Sequence, residues 1–232
     1  MTMSVAGQSS SVTIADTSLT DYDYTVTSDA SSSSPVEEGG QITYTIERSG
    51  SGSASTVYVA TNASNTATQG SDFTHISSQA VNFASDETVK TVTVDTLTDS
   101  VYEKTDESVH LMLFKSESAV NDFDYATYGT GYIKNTNALS ASLSSSASSV
   151  NEGQTVTFTL ATNAAKDTEF DWTLSGVSSA DVSGGLTGTA TVDADGDATI
   201  GVALKNDAAT EGSETMTMSV AGQSSSVTIA DT

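Results

Sequence analysis

The chain has 232 residues, and its 30 acidic residues against 7 Lys and Arg give a formal charge of −23. So few cations exclude an electrostatic grip on nucleic acid or on an anionic membrane. No apolar run approaches the ~18 residues of a spanning helix, and the lack of Cys removes disulfides, thiolate metal sites and a Cys nucleophile. Ser and Thr supply roughly a third of the residues, a composition suited to strands and turns. Acidity of this degree is also what adaptation to a salty medium would leave.

The first segment, Met1 to Thr17, reads MTMSVAGQSSSVTIADT, and Met216 to Thr232 repeats it without a mismatch. An offset of 215 (216 − 1) implies a tandem array, of which this chain holds one period plus an overlap. Met1 is then not expected to be a biological start, because its copy is internal. The segment predicts two strands, Met1–Val5 and Ser11–Ile14, with Met1/Met3/Val5 and Val12/Ile14 as their apolar faces. A lone hairpin is marginal. Residues 1–17 are therefore expected to be the C-terminal hairpin of a preceding module and to pack on it.

From residue 18 onward the dominant hydrophobic period is two, the pattern of a strand with one buried face. Ile42/Tyr44/Ile46, Val92/Val94 and Val109/Leu111/Leu113 carry it in the first half. Val156/Phe158/Leu160, Ile200/Val202/Leu204 and Met216/Met218/Val220 carry it in the second. Turn residues separate these runs at Ser49–Gly52, Gln69–Asp72, Ser183–Gly185, Asp195–Asp197 and Ala221–Gln223. No stretch shows a helical stripe. Trp172, the single Trp, alternates with Phe170 and is expected to fill the second core. His110 falls on the face opposite Val109 and Leu111 and reads as a surface residue. Tyr22/Tyr24 and Phe123/Tyr125, each beside Asp, read as a hairpin edge or module joint, with a binding patch as the alternative. Asp193-Ala-Asp-Gly-Asp197 has Ala198 and Leu204 where an EF-hand needs Gly and Glu, so it reads as an Asp-Gly hairpin turn.

The two halves align. Pro35–Ile46 matches Ser149–Leu160 without a gap, Asp99–Glu103 matches Asp207–Glu211, and Ile133–Thr136 corresponds to Ile14–Thr17. The boundaries that follow are 18–137 for a first sandwich and 138–232 for a second. The fold class is all-β: tandem Greek-key antiparallel β-sandwiches, six or seven strands each.

Acidic residues keep the same slots in both halves: Glu38 with Glu152, Asp72 with Asp181, Asp99 with Asp207, Glu103 with Glu211, and Glu107 with Glu214. Asp231 adds an acid at the exit of the second half. All stand at strand entries or exits, where a sandwich gathers its loops. Converging carboxylates cannot all remain ionised without a counter-charge, and a hard cation with oxygen ligands, usually Ca²⁺, provides one. Spacing leaves open whether Asp106 or Glu107 is the ligand.

Val36-Glu-Glu-Gly39, Gly70-Ser-Asp-Phe73 and the run from Asp99 through Glu103 to Asp106-Glu107 resemble the Calx-β domain, over nearly all of the first half. The second half resembles it more loosely, through its Glu-Gly entry and Asp207…Glu211…Glu214. Calx-β domains occur in sodium–calcium exchangers, in an integrin β subunit and in many large bacterial surface and secreted proteins. The resemblance implies Ca²⁺ ligation by Glu38, Asp72, Asp99, Glu103 and Glu107, with Asn135 as a carbonyl ligand. In the second half it similarly implies Glu152, Asp181, Asp207, Glu211, Glu214 and Asp231. Adjacent aspartates found in sensing members are replaced here by Thr98-Asp99 and Asn206-Asp207, which implies one or two ions per site at extracellular affinity.

The short junction Thr136-Asn137-Ala138 leaves little slack between modules. The functional expectation is a calcium-stiffened spacer in the stalk of a long bacterial adhesin or extracellular fibre, with neighbouring repeats as its partners and no membrane insertion. A self-assembling sheath or surface-layer subunit is one alternative. A module binding a surface glycan or protein at a distal site is another. An enzyme is not expected, since His75 and His110 are isolated and no catalytic spacing is present.

Overall fold

A computed structural model describes residues 2–5, 8–11, 22–63, 66–206 and 212–230. Two strands, β1 (Thr2–Val5) and β2 (Gln8–Ser11), pair antiparallel in a two-stranded sheet of their own. The second strand starts three residues earlier than the pattern of apolar residues suggests; Val12 to Thr17 lie outside the described residues.

The first sandwich has a three-stranded sheet facing a five-stranded one. Strands β3 (Tyr24–Ser28), β5 (Gln41–Arg48) and β8 (Val89–Asp95) form the first, in the order β3-β5-β8. The second contains β4 (Val36–Glu37), β6 (Ser55–Ala63), β7 (Gln79–Phe83), β9 (Glu107–Phe114) and β10 (Thr127–Lys134), in the order β4-β10-β9-β6-β7. The chain changes sheet between β5 and β6 and again between β7 and β8, a Greek-key path. Alternation places Ile42, Tyr44, Ile46, Val109, Leu111 and Leu113 in one core with no more than traces of exposed surface.

The second sandwich repeats this plan. Strands β11 (Ala141–Ser145), β13 (Thr155–Thr162), β15 (Val182–Ser183) and β17 (Asp197–Leu204) form one sheet in the order β11-β13-β17-β15. Strands β12 (Ser149–Asn151), β14 (Glu169–Ser175), β16 (Thr187–Thr191), β18 (Glu214–Val220) and β19 (Gln223–Ala230) form the other, β12-β19-β18-β14-β16. In both sandwiches a short strand pairs parallel to the last one: β4 with β10, and β12 with β19.

The hairpin β18–β19 turns at Ala221 and Gly222, both at positive φ (49° and 74°), as a two-residue type I′ turn requires. Its pairs Thr217↔Ser226, Met218↔Ser225, Ser219↔Ser224 and Val220↔Gln223 recur in β1–β2 as Thr2↔Ser11, Met3↔Ser10, Ser4↔Ser9 and Val5↔Gln8. Identical sequence therefore adopts identical register at both ends of the chain.

Two local features, a helix and the Asp193–Asp197 turn, differ from the sequence reading, while Trp172 packs at the margin of the second core and Tyr22/Tyr24 take the structural role expected of them. A single-turn helix, α1 (Glu117–Asn121), is capped by Ser116, whose hydroxyl accepts from Ala119 N–H at 3.2 Å; at five residues it is too short to leave a periodic stripe. The Asp193–Asp197 turn joins β16 to β17 on opposite sheets, so it links layers instead of closing a hairpin. Asp193 Oδ1 fixes it by accepting from Asp195 and Asp197 N–H. Trp172 is half-buried, lying over Gly188 on the neighbouring strand. Tyr22 and Tyr24 are structural: Arg48 lies 4.2 Å from the Tyr22 ring centre, and Tyr24 packs on Phe83 and donates to Ser55 Oγ at 3.0 Å.

Candidate metal centre and module joint

Strand ends and turns bring the first module's acids together. Glu38 follows β4 at a turn that reverses through Gly39 (φ 75°). Asp72 sits in the turn after Gly70, where its carboxylate accepts from Thr68 N–H and its carbonyl from Leu97 N–H. Asp99 and Glu103 stand on the loop between β8 and β9, and Glu107 opens β9. One oxygen each from Asp72, Asp99 and Glu103 lies within 4.8 Å of the others. Two ligands of one Ca²⁺ at ~2.3–2.6 Å can stand no farther apart than about twice that distance, so the spacing fits a shared ion. The donors are all oxygens, as a hard cation requires.

The electrostatics mark the same place. Asp72 and Glu107 are each only 6% exposed. Burial, then the charges of Asp72, Asp99 and Glu38, push the Glu103 carboxyl up to about 7. Burial, then Asp72 and Glu103, push Glu107 up to about 8, and its acid form donates to the Asp72 carboxylate. Burial and Asp99 raise Glu38 as well. Without a cation Glu103 and Glu107 keep their protons to higher pH than a free carboxyl does. Asp106 is exposed while Glu107 is buried, so Glu107 is the residue that faces the cluster.

Asn135 serves as a strap. Its Nδ2 donates to the Glu103 carbonyl, and its Oδ1 accepts from Asn137 N–H at 2.8 Å. Asn137, in the junction between modules, donates through Nδ2 to Glu38 Oε2 at 2.9 Å and to Asp99 Oδ1 at 3.3 Å. Thr136 Oγ1 also reaches Glu38, at 3.3 Å. These contacts were not legible from the sequence, where Asn137 read only as linker.

The loop that carries Asp99 and Glu103 also makes the joint. Tyr102, between them, pairs with Ala164 of the second module: Tyr102 N–H donates to Asn163 O at 2.8 Å and Ala165 N–H to Tyr102 O at 3.0 Å. Asn163 Nδ2 reaches Ser100 O at 3.0 Å and Ala138 O at 3.2 Å, and Lys104 Nζ reaches Glu169 O at 3.2 Å. A cleft of about 480 Å³, lined by Thr66, Glu103, Glu107, Lys166, Asp167 and Glu169 among others, opens between the modules.

In the second module Glu152, Asp181 and Glu214 occupy the corresponding backbone slots. Glu38 N–H donates to Lys134 O and Glu152 N–H to Ala230 O; Glu107 pairs with Ile133 and Glu214 with Ile229. Asp207, Glu211 and Asp231 lie outside the described residues. Among the described residues no second trio of acids approaches as closely.

Residues 21–129 match the Calx-beta domain, and residues 138–213 match the bacterial Ig-like domain (group 2). The two matches lie in tandem, one over each sandwich. The second half, which resembles Calx-β loosely in sequence, matches a different family model while keeping the strand order of the first. Solved structures that resemble the chain include CBD12 from CALX1.2, 15% identical, covering 84% of this chain and 79% of that one, with a TM-score of 0.38. The calcium binding domain CBD12 of CALX1.1 is 18% identical over 84% and 80%, also at 0.38. The Escherichia coli adhesin FdeC is 16% identical over 90% and 64%, at 0.40. With scores this low, the sandwich assignment rests on the strand pairing. No curated protein sequence matches the chain.

Proposed function

We propose that the chain is a calcium-stiffened spacer from the repeat region of a bacterial surface protein, and that its work is reach and rigidity, not catalysis. One observation carries this reading: the loop 99–103 is at once a wall of the carboxylate cluster and the first module's pairing strand at the joint. Asp99 and Glu103 flank Tyr102, so whatever fixes them fixes the backbone that pairs with Ala164. Asn137 ties the junction to Glu38 and Asp99 from the other side.

Glu38, Asp72, Asp99, Glu103 and Glu107 would hold Ca²⁺, which supplies the counter-charge that lets all five ionise. Without it, ionised Asp99 and Glu103 repel Asp72 and Glu38, and relief comes by moving the loop out or by protonation. Either weakens the Tyr102–Ala164 pairing. The matched register of β1–β2 and β18–β19 supports a tandem array in which each hairpin completes its own Ig-like module.

The test is thermal unfolding together with small-angle scattering, in excess Ca²⁺, in Mg²⁺ and in chelator. At a hundred times its dissociation constant a ligand bound only to the folded state adds about 2.7 kcal/mol, so melting should rise by several degrees. The longest dimension should become sharply defined with Ca²⁺ and broaden in chelator. An unchanged melting point in Ca²⁺ would remove the metal; a melting rise with unchanged scattering would keep the metal and remove the stiffening.

A further inference from the structure

On the outer face of the five-stranded sheet of the first module, beside the small apolar cluster that α1 makes with Ala60, Met112 and Phe114, three aromatic rings meet in the open. Phe123, Tyr125 and Tyr128 are 55%, 43% and 47% exposed. Phe123 and Tyr125 contact edge to face at 5.9 Å between ring centres, Tyr125 and Tyr128 likewise at 5.8 Å, and His110 stacks beneath Tyr128 at 4.6 Å. Only Val89, elsewhere, is a comparably exposed large apolar residue among those described. Single exposed apolar residues need no explanation, but a contiguous group does.

Phe123 adds an independent observation. It follows the C-cap of α1 with φ +56°, the left-handed conformation that helix ends normally give to Gly. A bulky residue there is strained. Phe123 accepts that strain without the return of full burial. Strain held at an exposed residue points to function.

Beside Phe123 lies a cavity of about 280 Å³. Its lining combines the nearly buried side chains of Met112 and Phe114 with the amides of Asn62 and Gln69 and with His75. The acids Glu117, Asp122 and Asp124 lie on the helix and loop that border the patch. Apolar ring faces next to amides suit a ligand that has apolar C–H faces and many hydroxyls at once. Pyranose rings meet this description: their C–H faces rest on the electron-rich faces of aromatic rings, and their hydroxyls pair with amide groups. The acidic border disfavours an anionic ligand, and a plain apolar protein surface would leave the amides unpaired.

We propose that the Phe123–Tyr125–Tyr128 strip and the adjoining Asn62/Gln69/His75 cavity bind a neutral oligosaccharide. The strip and cavity share no residue with the carboxylate cluster. Saturation-transfer NMR and titration of the whole chain with cellohexaose, maltohexaose, mannohexaose and chitohexaose, with sialyllactose as the anionic comparator, give the test. At least one neutral hexasaccharide should bind, and sialyllactose should not. Tyr128→Ala and Phe123→Gly should each weaken binding at least tenfold, while Phe123→Gly melts no lower than the parent because it relieves the left-handed strain. The proposal is overturned if none of the four neutral sugars binds, or if the variants bind as well as the parent. It also fails if Phe123→Gly melts several degrees lower, which would make Phe123 a packing residue, or if light scattering finds a dimer that Tyr128→Ala dissolves, which would make the strip a contact between copies.

Discussion

Asp72 and Asp181 hold the same backbone bond: the carbonyl of the first accepts from Leu97 N–H and that of the second from Lys205 N–H, each at 2.8 Å. The turn around each acid is closed the same way, by a carboxylate accepting a nearby N–H, from Thr68 in one module and Ser178 in the other. Their neighbours differ. In the first module an apolar Leu97 sits beside a buried Asp72, and Glu103 and Glu107 crowd in. In the second the same position is Lys205, whose ammonium reaches Ser179 O at 2.8 Å in the turn that holds a half-buried Asp181. One scaffold position thus gives its acid two different neighbours, an aliphatic side chain in one module and an ammonium bound within the same turn in the other. The slots alone do not equal the site; what surrounds them decides how much charge remains to be neutralised.

The cores show the same compensation, and it gives the largest expected effect. Tyr44 and Phe158 stand at matching positions. Tyr44 donates to Val109 O at 2.7 Å, and its hydroxyl occupies the space where a Cβ on Gly131 would come within 2.7 Å. The residue matching Gly131 in the second module is Val227, opposite a Phe that has no hydroxyl. Gly131→Val should therefore destabilise the protein by about 1–3 kcal/mol through overpacking. Adding Tyr44→Phe should recover part of that loss. Urea midpoints of both single variants and of the double decide it: losses that simply add would mean Tyr44 and Gly131 are not coupled.

Next in size is the pH dependence of the metal-free protein. Glu103 and Glu107 are raised to about 7 and about 8 in the folded state, against 4.5 for a free Glu. Between about 4.5 and 8 the folded form holds protons that the unfolded form has released, so stability falls as pH rises through that window. In chelator, melting should drop steadily from pH 5 to pH 8. In saturating Ca²⁺ the decline should flatten, and mixing with Ca²⁺ at pH 7 should release protons. A melting point that climbs over this range in chelator would show that the acids do not crowd one another.

Much of the architecture was legible because its signal is local. Ile42/Tyr44/Ile46 or Val156/Phe158/Leu160 alternate against Thr, and a period of two states which face is buried wherever the partner strand lies. The recurring acids were legible because two modules of related sequence sit in one chain, and the structure puts Glu38/Glu152, Asp72/Asp181 and Glu107/Glu214 in matching backbone positions. The joint was not legible. Asn135, Asn137 and Asn163 act through amides that bridge segments tens of residues apart, and no spacing rule predicts such a bridge. Phe123 and Tyr125 stood out in the sequence as a pair, but their union with Tyr128 and the helix before them did not: a positive φ on a Phe contradicts local propensity, and a one-turn helix is too short to show a period.

Lys205 supplies the smallest effect and the most direct test of the difference between the modules. If its ammonium takes the place of an external cation beside Asp181, then Lys205→Leu gives that acid the apolar neighbour that Asp72 has. The exposed ammonium itself contributes little to stability, about 0–1 kcal/mol, so the variant should melt within a few degrees of the parent in chelator. Its response to Ca²⁺ should be larger than the parent's, because the turn that holds Asp181 would have lost its positive charge. The reciprocal variant, Leu97→Lys, should blunt the Ca²⁺ response of the first module by placing a cation next to Asp72. Calorimetric titration of both reads the contrast directly. Unequal shifts in opposite directions would assign the charge at this one position a share in setting which module takes the ion; Ca²⁺ responses that match the parent's in both variants would move the cause to the loops 99–103 and 207–211, where the two modules differ in every residue except Asp99/Asp207 and Glu103/Glu211.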